Sequence, residues 1–123
     1  MFNDIDNICK EIHQRNLDAG WWNDTETGEY LGDNIYYQTS KVLLMHAEIS
    51  EAVEGMRKGL MDDKLPQYEN EAVEMADLFI RWADYVGMKG WPMQEIIETK
   101  LGFNAIREDH KIETRKGNGG KKF

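Results

Sequence analysis

A single cysteine, Cys9, and only two prolines, Pro66 and Pro92, occur in this chain of 123 residues. One thiol closes no intramolecular disulfide and builds no cysteine zinc site, which fits a reducing compartment. So few prolines leave long stretches free to be helical, and alternating β-branched runs are scarce. No apolar run approaches the ~20 residues a membrane-spanning helix needs. The opening Met1-Phe2-Asn3-Asp4-Ile5-Asp6 is acidic where a signal peptide is basic, so the expectation is a soluble, cytoplasmic protein with no membrane partner. Positive charge is also short: 15 Lys and Arg stand against 23 Asp and Glu, a formal net charge of −8. Such a field repels a phosphate backbone and argues against nucleic acid as a partner, the one basic cluster being C-terminal. What is present is apolar material for a core, 41% of residues with four Trp among them, so a globular fold is expected.

The periodicity predicts an all-α chain. Ile5, Ile8, Cys9 and Ile12 mark a first helix from about Asp4 to Ala19, with Asn3 or Asp4 as N-cap and Gly20 beyond its end. Residues 21–34, rich in turn formers and aromatics, read as a loop. Val42, Met45, Ile49, Ala52, Val53 and Met56 give the apolar stripe of a second helix from about Ile35 to Lys58, ended by Gly59. A third helix from about Gln67 to Val86 carries Ala72, Met75, Ala76, Phe79, Ile80 and Ala83, with Gly87 past its end. Gly90-Trp91-Pro92 restarts the chain with proline at the first helical position, and a fourth helix bearing Met93, Ile96, Ile97 and Leu101 runs to about His110. Residues 1–114 are expected to form one four-helix, bundle-like domain, followed by a Gly/Lys-rich tail over 115–123 without helical pattern.

Carboxylates stand at the edge of two apolar stripes. Glu48 and Glu51 are three apart on the second helix, and Glu74 and Asp77 three apart on the third, so each pair shares one helix face. If a short linker packs these helices antiparallel, the four acids converge, and such a cluster repels itself unless a cation neutralises it. All-oxygen donors suit Mg2+, with Mn2+ as a substitute. A solvated acidic face has the same spacing, as Glu51 with Glu54 shows. A diiron carboxylate site needs Glu-x-x-His pairs, and none precedes His13, His46 or His110.

On the fourth helix, Lys100, Asn104 and Arg107 fall at i, i+4 and i+7, a stripe suited to an anion such as a phosphate chain or else to solvent. Trp21 and Trp22, with Asn16 and His13 on the first helix, offer stacking faces and hydrogen-bonding groups for a nucleobase, although tryptophan is on average largely buried.

The segments Glu48-Ile49-Ser50-Glu51 and Glu74-Met75-Ala76-Asp77 with their spacer resemble the E-x-x-E, E-x-x-D signature of the MazG-type nucleoside triphosphate pyrophosphohydrolases. The Gly20-Trp21-Trp22 region and the late Lys100, Asn104 and Arg107 extend the resemblance over nearly the whole chain, although residues 107–115 make a longer approach to the tail than small members have. The resemblance implies an all-α enzyme that hydrolyses nucleoside triphosphates, usually deoxynucleotides, to the monophosphate and pyrophosphate. It implies Glu48, Glu51, Glu74 and Asp77 as Mg2+ ligands, Lys100 and Asn104 on phosphates, Asn16 with Trp21 or Trp22 at the base, and a homodimer or homotetramer. Specialised relatives, a dUTP pyrophosphatase or a phosphoribosyl-ATP pyrophosphohydrolase, share the motif. Outside the enzymes, a non-catalytic helical interaction module with solvated acidic faces is the alternative.

Overall fold

Helix α1 (Ile5–Asp18) starts on the Asp4 side chain, which accepts the Asn7 backbone N–H at 2.8 Å in the computed structural model, whose described residues are 4–123. This satisfies one of the free donors of the first turn. Asn3, the other expected cap, lies outside the described residues. Helix α2 (Ile35–Lys58) is capped by the Asn34 side chain on the N–H groups of Tyr36 and Tyr37, and stops at Gly59 as the sequence predicts.

Helix α3 (Asn70–Lys89) is displaced from the predicted span at both ends. Its start is delayed because residues 60–69 close a loop instead. Met61 bridges Glu69, the Asp62 N–H donates to the Tyr68 carbonyl, and the buried Asp62 carboxylate accepts the N–H groups of Lys64 and Leu65. Its end is extended because Gly87 is not a stop. A Cβ there would overlap the Cys9 carbonyl oxygen and lie 2.6 Å from His13 Cβ, so the missing side chain is what lets α1 and α3 touch. The true stop is Gly90, at φ 68°. Gly87→Ala is therefore expected to cost about 2 kcal/mol of unfolding free energy, measured by urea titration, because backbone cannot yield as a flexible side chain does.

Two compact units make up the chain, Met1–Trp91 and Pro92–Phe123. In the first, α3 packs against both α1 and α2. Paired positions run in opposite directions along α2 and α3: Gln38 meets Lys89, Glu48 meets Arg81, and Gly55 meets Asn70. The two helices are antiparallel, as the linker implied. Among the described residues, the buried apolar side chains are Cys9, Trp22, Ala52, Ala83 and Val86. Most of the stripe predicted for the core is not enclosed: Val42, Ile49, Val53, Met56, Met75, Phe79 and Ile80 are all exposed. Three helices have too few facing surfaces to cover both sides of α2 and α3.

In the second unit, α4 (Met93–Ile106) ends earlier than the sequence suggests. Pro92 flanks the helix and does not open it, and Arg107 turns extended at ψ 130°. The Arg107 guanidinium then grips Asp109 with two hydrogen bonds, at 3.0 and 2.8 Å, across a 3-10 turn over Glu108–His110. A short α5 (Ile112–Lys116) follows, taking in Arg115 and Lys116, which the sequence assigned to a tail without helix. The Arg115 side chain donates to the carbonyls of Lys121 and Lys122 and draws the last residues back onto it. Among the described residues the chain is all-helical, without strands, and no helix is long and apolar enough to cross a membrane.

Candidate metal centre and cleft

Antiparallel packing of α2 on α3 brings one carboxylate oxygen each from Glu48, Glu74 and Asp77 within 4.8 Å of one another. Glu48 is 5% exposed, an expensive place for a charge. Arg81 compensates it, donating from Nε to Glu48 Oε1 at 2.6 Å. Burial pushes the Glu48 pKa up, but the Arg81 hydrogen bond and charge outweigh it and hold the group below the ordinary glutamate value. Glu74 has no such cation among the described residues. Burial and the crowding carboxylates of Glu48 and Glu51 push it up to about 7. Asp77 is raised as well, by burial first and the Glu48 charge second. Glu51 is exposed and outside the tight triad, yet near enough for its charge to act on Glu74.

The donor set is all oxygen, and Glu74 Oε2 is buried with no hydrogen-bond partner. A carboxylate oxygen left unpaired beside two further carboxylates is what a hard divalent cation would satisfy, so these residues could hold one.

Two of the three, Glu48 and Asp77, line a cleft of about 270 Å3 together with Asn16, Trp21, Lys41, Ile80, Arg81 and Asp84. Asn16 comes from the end of α1, Trp21 from the following loop, Lys41 from α2 and the rest from α2 and α3. Of the two tryptophans, Trp21 is 63% exposed and lines this space, whereas Trp22 is fully enclosed and presents no face to it. Trp22 instead donates its indole N–H to Asp84 Oδ1 at 2.9 Å, and His13 Nδ1 meets the same oxygen at 2.8 Å. The buried Asp84 thus ties α1, the loop and α3 together under the cleft. Asp84→Ala would strand the buried Trp22 indole N–H and leave the part-buried His13 ring without its partner, and a loss of about 2–4 kcal/mol in denaturant unfolding is expected.

Lys41, Arg81 and Asp84 line the cleft although no sequence motif marks them as site residues. Their signal was helical spacing: Lys41 stands seven before Glu48, while Arg81 and Asp84 continue the face of Glu74 and Asp77 at i+4 and i+7 from Asp77. The Lys41 ammonium donates to the Trp21 carbonyl at 3.0 Å and lies 4.8 Å from the Trp22 ring centroid; its pKa is lowered, chiefly by burial.

The predicted anion stripe belongs to the second unit. Lys100 and Arg107 both lie over the Phe103 ring, at 5.0 and 5.6 Å. Arg107 is off the helix and engaged by Asp109, whose carboxyl it holds, with Lys121, well below the usual range. Asn104 Oδ1 is buried without a partner. Comparison with models of protein families, with curated proteins and with solved structures gave no match to this chain.

Proposed function

We propose that this chain is a divalent-metal-dependent nucleoside triphosphate pyrophosphohydrolase, releasing pyrophosphate and leaving the nucleoside monophosphate. The observation that carries the reading is the triad of Glu48, Glu74 and Asp77, in which Glu74 holds an unpaired buried oxygen and Glu48 and Asp77 line a cleft that also presents Trp21 and Asn16. Glu48, Glu51, Glu74 and Asp77 would hold Mg2+. When bound, it would lower the pKa of an attacking water and offset phosphate charge. Trp21 supplies a face on which a base stacks, and Asn16 both a donor and an acceptor for its edge. Lys41 and Arg81 offset part of the charge of Glu48, Asp77 and Asp84 in the cleft, and a bound divalent cation would offset the rest and admit an anionic substrate. The exposed apolar residues of α2 and α3 support a homodimer or homotetramer, since a second copy would cover them.

The test is pyrophosphate release from each common NTP and dNTP, with Mg2+ and with EDTA. Release that stops in EDTA supports the reading and ranks the bases; dUTP alone, or phosphoribosyl-ATP added to the panel, would identify a specialised relative. One observation favours a second reading. Arg81 already neutralises Glu48, as it would in a non-catalytic interaction module whose acids need no metal. No release from any substrate, with a melting temperature indifferent to Mg2+, would favour that module.

A further inference from the structure

Glu74 presents its two oxygens to different surroundings. Oε1 accepts from Asn70 Nδ2 at 3.2 Å, one helical turn earlier on α3, while Oε2 is buried and unpaired. The same Asn70 amide donates to Asp62 Oδ1 at 3.3 Å. Asp62, held below the ordinary carboxylate range by the backbone N–H groups it accepts, can only accept, so the amide nitrogen must face it. Asp62 is in turn fixed by the backbone N–H groups of Lys64 and Leu65, at 3.1 and 2.9 Å. The chain of contacts runs from the loop backbone through Asp62 and Asn70 to one oxygen of Glu74. Space for it comes from α2: a Cβ on Gly55 would collide with Asn70 Oδ1 and lie 2.8 Å from its Cγ.

We propose that Asn70 is the positioning residue of the metal centre, an inference that rests on the metal-dependent reading of the triad. By clamping Oε1 it stops rotation of the Glu74 carboxylate and leaves Oε2 as the oxygen for the cation. Partners that orient a ligand in this way set metal affinity without touching the metal, and their loss weakens binding about 10–100-fold.

The experiment measures Mn2+ binding to the full chain by electron paramagnetic resonance, without nucleotide. Asn70→Leu keeps the branched outline but removes the donor, and Gly55→Ala displaces the amide without altering it. Each is expected to weaken Mn2+ binding at least about 10-fold, with helix content in EDTA unchanged. Gly55→Ala should add little in an Asn70→Ala background, because Oδ1 and Cγ, the two atoms it overlaps most, are gone and only Cβ, 3.0 Å away, remains. Wild-type affinity in the variants would overturn the inference and leave the metal reading standing. Absence of Mn2+ binding to the wild-type chain would overturn both. Should Asn70→Leu not fold, Asn70→Ala and Gly55→Ala carry the same comparison.

Discussion

Glu74→Gln is expected to raise the melting temperature in EDTA at pH 8 and to lose the stabilisation that Mg2+ confers. The folded-state pKa of Glu74, about 7, lies above its ordinary value of 4.5 because of burial and the neighbouring carboxylates. The fold therefore prefers the neutral acid. The group carries no penalty below pH 4.5, acquires one as pH rises from 4.5 to 7, and carries all of it above. Glutamine imitates the neutral acid at every pH. The gain should amount to about 1–3 kcal/mol at pH 8, or roughly 5–10 °C, and vanish near pH 4. With saturating Mg2+ the order reverses, since the wild-type chain gains binding free energy that the variant forgoes. A scan of both proteins against pH, with EDTA and with Mg2+, checks all of this. An EDTA difference that does not change with pH would mean that the substitution acts through packing and not through charge.

Removing a carboxylate outright should abolish turnover. Asp77→Ala and Glu51→Ala are each expected to lower Mg2+-dependent pyrophosphate release by about 10^3-fold, the equivalent of several kcal/mol of lost charge stabilisation. Stability at low Mg2+ should hold or improve in both, because mutual repulsion in the cluster is relieved. This pairing of inactivity with undiminished stability separates loss of a site from loss of the fold. Retained turnover in both variants would remove these acids from the metal centre.

Helices α1 and α2 were legible because their caps and stops are local chemistry. Asp4, Asn34 and Gly59 act within a turn of themselves, and the observed termini follow them closely. Helix α3 was misplaced by three residues at each end because its limits are tertiary. Residues 67–69 look helical but are drawn into the loop closed by Asp62, and Gly87 looks like a stop but is the point where α1 makes contact. Arg107 left its helical stripe because Asp109 offers a two-pronged partner outside it.

In the site, the i, i+3 acid pairs placed Glu48, Glu51, Glu74 and Asp77 on their faces, and Trp21 with Asn16 near one another, before any fold was known. Which oxygen of Glu74 is unpaired, which tryptophan is enclosed, and that Lys41, Arg81 and Asp84 join the cleft depend on the register of α2 against α3 and on Asp84 gathering His13 and Trp22. Helix type, caps and the faces that acids share follow from the sequence by itself, since each is decided within a few residues by backbone hydrogen bonding and the 3.6-residue period. Burial, pairing and pKa were decided only in the tertiary structure, because they depend on what a neighbouring helix brings within about 5 Å, and no local pattern encodes that distance.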